Sequence, residues 1–222
     1  MFVHALEKQE KNFHEFALKN SSSRGVIKLI GSASEIDKDA CRSILVNSFI
    51  GEYSQYLTPQ DISKTSTSWR GGNNSVQQYY EKYFAVEFDK YSANKFEFWV
   101  CAYVDNQLVG WATFEREHDD KNAVYMDLLI VDPAYQHKGI GEQLVKSLLN
   151  LGAIPELSAV HLLLRKANSG GRIFYQKLGF YDDQDYHRTD NFVDLDMLVP
   201  LTWKNPALLE TIKREHSHTC LP

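Results

Sequence analysis

The sequence predicts an α/β fold of the mixed-sheet, α+β kind. Three observations predict it: an aromatic and β-branched hairpin between residues 96 and 115, the unbroken apolar run Ala123 to Val131, and two later helical segments separated by strand-like stretches. A length of 222 residues suits one well-buried domain with some chain left over.

Each element has its own pattern. Residues 2 to 19 place Val3, Leu6, Phe13 and Phe16 at near-helical spacing between charges, so residues 1–24 are expected to form an amphipathic helical appendage ended by the breaker run Asn20 to Gly25. Val26 to Ile30 reads as a strand, and Ser34-Glu35-Ile36-Asp37 opens a helix carrying Ile44, Leu45, Phe49 and Ile50. Residues 51–95 carry weak signals: a polar loop from Thr58 to Ser75, then the aromatic helical run Tyr79 to Phe84, read as core packing. Phe96 to Val104 and Leu108 to Glu115 form a hairpin about Asp105-Asn106-Gln107.

After the polar turn Glu117 to Asn122, the run Ala123 to Val131 suits a central strand buried on both faces and ended by Pro133. Gly139 to Asn150 repeats Ile140, Leu144, Val145, Leu148 and Leu149 on one helical face, with Gly152 as a stop. Ala159 to Leu164 is a strand, Ser169 to Leu178 a helix closed by Gly179, and Tyr181 to Asp190 an acidic loop. The last strand is expected over Phe192 to Val199, which bounds the main domain at 25–200 and leaves 201–222 as a tail.

Composition excludes several functions. A net charge of −5 argues against nucleic-acid binding, which needs clustered Lys and Arg. No stretch approaches the ~18 apolar residues of a membrane span, and the N-terminus meets charge too early for a secretory signal. A cytoplasmic protein that engages no membrane is therefore expected. Cys41, Cys101 and Cys220 are far apart and form no CxxC pair, so neither a disulfide framework nor a metal site is expected. The tail His216-Ser217-His218-Thr219-Cys220 is read as frayed chain rather than a metal ligand set.

The strongest chemical signal is Val131-Asp132-Pro133-Ala134-Tyr135-Gln136-His137-Lys138-Gly139-Ile140-Gly141, set between a buried strand and an amphipathic helix. A helix start offers unpaired N–H groups and the positive end of the macrodipole, and glycines there let main chain approach an anion closely. Lys138 adds a positive charge. A dinucleotide fingerprint would require a glycine at Leu144, and a phosphate-binding Walker loop would require Gly-Lys-Ser/Thr; neither is present.

The segment resembles the acyl-CoA signature of the GNAT superfamily of N-acyltransferases, Gln/Arg-x-x-Gly-x-Gly/Ala behind a strand ending in Val-x-Pro. Here it stands as Gln136 to Gly141 behind Val131-Asp132-Pro133. The family's second signature, an Asn leading a helix with a Tyr seven positions on and a Gly-Phe close, is matched by Asn168, Tyr175 and Gly179-Phe180. The resemblance covers about residues 96 to 200, with weaker support back to Val26.

The resemblance implies a central, mostly antiparallel sheet flanked by helices, and acetyl transfer from acetyl-CoA, the acyl donor, to a primary amine by direct attack in a ternary complex. It places the pyrophosphate on the amides of His137, Lys138, Gly139, Ile140, Gly141 and Glu142, and the pantetheine amides along the strand edge at Leu129, Ile130 and Val131. Asn168 would hold the pantetheine arm, cap its helix, or both. Tyr175 would protonate the departing thiolate, since a phenol titrates near ~10, close to an alkyl thiol. Asp127 would accept the amine proton directly or through water, or serve a structural hydrogen bond; the position where some members carry a glutamate is Leu163 here. Gly171 stands where the family usually has Ala. His161 reads as a half-buried polar residue, and Cys41 and Cys101 as ping-pong nucleophiles only in principle. The acceptor is a small-molecule or protein amine, with Glu115, Glu117, Asp119, Asp120, Asp182, Asp183 and Asp185 as an acidic rim that either steers a cationic amine or only solubilises the surface. A homodimer is left open. The rival expectation is a CoA-binding module without catalysis that engages a protein partner.

Overall fold

The structure, a computed structural model, describes residues 13–30, 33–53, 98–150, 156–188 and 198–207. They fall into two compact units, one of residues 1–115, 127–153 and 192–194, the other of 116–126, 154–191 and 195–222. The fold is of mixed α/β class, as its sequence pattern predicts.

In the first unit, β1 (Phe13–Ala17), β2 (Arg24–Ile30), β3 (Phe98–Val104) and β4 (Gln107–Arg116) form an antiparallel series followed by the C-terminal half of β5 (Ala123–Val131). The β3–β4 turn is only two residues long, Asp105 and Asn106, both left-handed with φ of 50° and 63°. Two successive residues at positive φ match the right-handed strand twist, and Asp and Asn tolerate that region. Gln107 therefore already pairs with Val104 rather than belonging to the turn.

Helix α1 (Lys38–Tyr53) starts where Asp37 accepts the Ala40 N–H through its side chain at 3.0 Å. Its Cys41, Ile44 and Leu45 pack with Ile30, Trp99, Trp111, Leu128 and Ile130 in one buried cluster, in which the two tryptophans stack 5.0 Å apart. Gly110, next to Trp111 along β4, faces the other way. A Cβ there would lie 2.8 Å from the Ile130 carbonyl oxygen and 3.4 Å from Leu144 Cδ1. Helix α2 (Ile140–Asn150), which carries Leu144, thus covers the face opposite α1, and Gly110 lets β5 and α2 come close.

In the second unit the N-terminal half of β5 pairs in parallel with β6 (Ala159–Arg165), from Ala123↔Ala159 to Tyr125↔His161. β6 pairs with β8 (Leu198–Lys204), which pairs with the two-residue β7 (Tyr181–Asp182); helix α3 (Ser169–Lys177) precedes β7. No helix among the described residues is long and apolar enough to cross a membrane.

Several expectations change. Residues 13–17, expected as the end of a helix, form an edge strand: Phe16 and Leu18 are buried while Glu15 and Ala17 are exposed, a period of two that the three-residue spacing of Phe13 and Phe16 disguises. What holds the strand comes from β2, where Phe16 sits opposite Gly25 with its ring in the space a Cβ would fill. The run Asn20 to Gly25 contains the hairpin turn, with Asn20 at φ 58°, and the start of β2. The last strand lies at 198–204 and not 192–199, and residues 189–197 lie outside the described residues. Pro200 is tolerated inside it because the N–H and C=O of one strand residue point to the same side, and its carbonyl accepts from Asp183 at 3.0 Å on the β7 side, where pairing ends. Tyr181 and Asp182, expected in a loop, make that short β7.

β5 is buried on both faces only from Ala123 to Met126; from there Asp127, Leu129 and Val131 are half-exposed while Leu128 and Ile130 stay buried. The expectations for residues 2–12, the loop of 58–75, the aromatic run of 79–84, Gly152 and the tail of 208–222 lie outside the described residues.

Because the buried Phe16 ring fills the space over Gly25, Phe16→Ala is expected to destabilise the protein by about 3 kcal/mol in urea denaturation. A midpoint equal to wild type would mean that residues 13–17 do not belong to the sheet.

Candidate functional site

The corner between β5 and α2 is built by local hydrogen bonds. Asp132 caps a single 3₁₀ turn, Pro133–Tyr135, by accepting the Ala134 N–H at 2.8 Å, and the Gln136 N–H closes it on the Pro133 carbonyl at 3.4 Å. His137 and Gly139 then take left-handed φ of 61° and 86°, which reverses the chain into α2. The Gly139 carbonyl accepts the Gln143 N–H at 3.1 Å, so the helix's first internal bond begins there.

This geometry leaves a run of peptide donors without acceptors. Among the described residues, the N–H groups of His137, Lys138, Gly139, Ile140, Gly141 and Glu142 form no hydrogen bond to protein. Three of them open a helix and carry its positive dipole end. Such a group suits an oxyanion and nothing apolar.

The β5 edge is selective. The Asp132 N–H bonds the Val109 carbonyl of β4 at 2.9 Å, so by alternation the polar groups of Ile130 also point at β4, whereas those of Leu129 and Val131 point away. The β5–β6 ladder forms its last pair at Tyr125↔His161, leaving that outward edge of Leu129 and Val131 unpaired with β6. Ile130, expected to offer main-chain groups to a ligand, turns them toward β4. The Val131 carbonyl is already taken, by Ser48 Oγ at 2.9 Å and Gln136 Nε2 at 3.2 Å. Gln136 thus acts on the loop itself.

Lys138 is also turned inward. Its ammonium donates to the Ala134 carbonyl at 3.0 Å and lies 4.6 Å from the Tyr135 ring centre. The cation beside the donor run is instead Lys19, from the β1–β2 turn, whose N–H donates to the Lys138 carbonyl at 3.0 Å and whose ammonium reaches Glu142 at 2.7 Å. Nothing in the local sequence pattern singles it out, because the spacing around it resembles the end of a helix. Lys146 takes the other Glu142 oxygen at 2.6 Å, and the two ammonium donors hold that carboxyl down to about 2.

In the second unit, Asn168 caps α3: its Oδ1 accepts the Gly171 N–H at 2.6 Å. That leaves its Nδ2 donors, which make no hydrogen bond among the described residues. Gly171 is explained by the same contact, since a Cβ there would lie 2.7 Å from Asn168 Oδ1. Tyr175, 8% exposed, is held between Phe174 and Phe180 at 5.0 and 5.4 Å, edge to face. Gly179, at φ 90°, turns the chain so that the Phe180 N–H returns to the Tyr175 carbonyl at 3.1 Å. Asn, Tyr and Gly-Phe are thus one local device that fixes a phenol.

Other candidates resolve into structural roles. The half-buried His161 bonds Thr202 at 2.8 Å and stacks on Tyr186 at 4.2 Å, and the Tyr186 hydroxyl donates to Glu117 at 2.6 Å. Of the acidic residues, Asp120 accepts from Ser158, Asp182 pairs with Arg172 and Asp183 accepts the Asp185 N–H, so part of that charge is spent inside the unit. Cys41 and Cys101 are fully buried, and burial pushes both thiols up, Cys101 to about 12. Neither is a thiolate at neutral pH, which removes them as nucleophiles. Among the described residues no cluster of three His, Cys, Asp or Glu is arranged to hold a metal.

The sequence matches the family described as Acetyltransferase (GNAT) family over residues 63–180. That is more than half of the chain, and the chain belongs to this family. The match begins within the 51–95 segment, so the family's domain reaches further back than residue 96. Over 87 residues the chain is 31% identical to a spermine/spermidine N(1)-acetyltransferase of Bacillus subtilis, covering 36% of this chain and 57% of that protein. An uncharacterized protein of Mycobacterium leprae is 28% identical over 128 residues, 56% of this chain and 33% of that one. The chain thus spans a third to somewhat over half of the length of these relatives. Among solved structures, the PaiA N-acetyltransferase of Thermoplasma acidophilum in complex with coenzyme A has a TM-score of 0.56 at 20% identity, over 81% of this chain and 99% of that one. An acetyltransferase of the GNAT family from Staphylococcus aureus Mu50 has a TM-score of 0.56 at 14% identity, over 80% and 98%. At these identities the likeness is one of fold.

Two outcomes are expected. Gly171→Ala gains about 1 kcal/mol of helix propensity but evicts the Asn168 cap at a similar cost, so its melting temperature should barely move while the Asn168 side chain shifts in an NMR spectrum. A variant that is clearly more stable, with Asn168 unmoved, would contradict this. For His161 burial dominates and lowers its pKa, so its neutral form is the folded one. Its contribution is present above the unfolded value near ~6.5 and is lost as the pH falls below it. Urea midpoints measured from pH 7 to 5 should therefore fall less for His161→Gln than for wild type; parallel curves would contradict this.

Proposed function

We propose that the chain is an acyl-CoA N-acetyltransferase that moves an acetyl group from acetyl-CoA to a primary amine. The observation that carries the proposal is the run of unpaired N–H groups from His137 to Glu142. Six uncharged donors in sequence fit a diphosphate, and the outward groups of Leu129 with the Val131 N–H offer strand-like partners to the amides of a pantetheine arm. The Nδ2 donors of Asn168 are of the kind that binds an amide carbonyl.

Bound acetyl-CoA supplies a thioester carbonyl and a thiolate leaving group; the rest of the chemistry falls to side chains. Asp127, half-exposed in an otherwise apolar strand, takes the ammonium proton directly or through water so that the amine can attack. Tyr175 gives a proton to the sulfur as the C–S bond breaks, with its ring orientation set by Phe174 and Phe180. The attack is direct, in a ternary complex, because both described thiols are buried and protonated.

The acceptor is a small cationic amine of the polyamine class. This rests on the named activity of the Bacillus subtilis relative and on acidic residues such as Asp119 that remain exposed. A protein lysine is the alternative acceptor. A cytoplasmic location, a homodimer and the absence of nucleic-acid partners complete the proposal.

The test is free thiol release from acetyl-CoA with spermidine and with a neutral amine of equal length. Release that depends on spermidine is expected, with Tyr175→Phe lowering kcat on the order of 100-fold while the calorimetric CoA affinity stays constant. CoA binding without release for any amine would leave only the non-catalytic module.

A further inference from the structure

We propose that Lys19, on the turn between β1 and β2, is a phosphate ligand of the donor site, its ammonium exchanging Glu142 for a phosphate oxygen when the donor binds. The proposal rests on the acyl-CoA function proposed above and adds a residue that neither family signature contains.

The position is fixed by main chain. The Lys19 N–H bonds the Lys138 carbonyl at 3.0 Å, which ties the hairpin turn to the middle of the donor loop. From there the Lys19 stem runs across Gly139, with Cγ, Cδ and Cε all 3.2–3.3 Å from where a Cβ would stand. Any other residue at 139 would therefore meet the lysine as well as the strain of φ 86°. The stem ends with its ammonium at Glu142 Oε2, on the first turn of α2 and beside the unpaired N–H groups.

The charges explain why a lysine is needed there. An ionised carboxylate at the mouth of an anion site repels a phosphate, and Glu142 is ionised over the whole physiological range. Lys146 alone would only cancel it; with Lys19 the group carries a net positive charge. The motif's own lysine, Lys138, donates to the Ala134 carbonyl instead. Lys19 is free to turn: its side chain is 60% exposed, and an exposed pair of this kind contributes little to stability. A flexible four-carbon stem with three donors can pivot from carboxylate to phosphate while its backbone stays bonded to Lys138.

The pyrophosphate and the ribose phosphate present the same chemistry, and the choice of donor tells them apart. Lys19→Met is expected to raise the Kd of acetyl-CoA about tenfold and to flatten its salt dependence, with an unchanged melting temperature and with recovery in Lys19→Arg. S-acetylpantetheine, which has no phosphate, should be used equally well by wild type and Lys19→Met. A tenfold loss that persists with 3′-dephospho-CoA assigns Lys19 to the pyrophosphate, and one that disappears assigns it to the ribose phosphate. Unchanged CoA affinity in Lys19→Met, or an equal loss with S-acetylpantetheine, overturns the proposal and makes Lys19 a fastener of the hairpin. Wild-type protein that binds no CoA would instead defeat the proposed function.

Discussion

The site depends on a constraint of backbone geometry at the corner that comes after β5. A chain leaving a strand must reverse into a helix within a few residues, and here it does so with His137 and Gly139 in the left-handed region. That conformation withholds six consecutive amides from the protein's own carbonyls. Unpaired peptide donors are costly when buried, so they persist only where water or an anion can reach them. The rest of the first unit serves this corner: Ser48 and Gln136 hold the last carbonyl of β5, Gly110 lets α2 approach the sheet, and Ile140 anchors the helix start in the core.

The second unit solves a different problem, which is to hold one phenol and one amide in fixed orientations. Asn168 is fixed by capping, which leaves its donors unspent; Tyr175 is fixed by two aromatic edges and a glycine turn. The departure Gly171 belongs to this arrangement, since the cap leaves no room for the methyl of the usual alanine. A helix with lower intrinsic propensity is the cost of keeping the asparagine close.

Elements whose pattern is local were legible in the sequence. β5 and β6 were found to within a residue from apolar runs, α2 from one-sided spacing and α3 from the glycine that closes it. The glycine corner and the Asn-to-Phe device were legible because their residue types are dictated by φ, capping and close approach. What was not legible depends on partners distant in sequence. β1 is a strand because Gly25 receives the Phe16 ring, and β8 continues through Pro200 because its missing donor faces a side where pairing ends. The arrival of Lys19 more than 100 positions away comes from packing that no local window contains.

The placement of Cys41 and Cys101 has a consequence under the proposed thioester chemistry. An accessible thiolate near such a donor would capture the acetyl group by transthioesterification and inactivate the molecule by self-modification. Burial pushes the Cys101 thiol up to about 12, and Cys41, on α1, lies in the same apolar cluster. The core that supports the sheet thus also keeps Cys41 and Cys101 out of competition with the proposed acceptor amine.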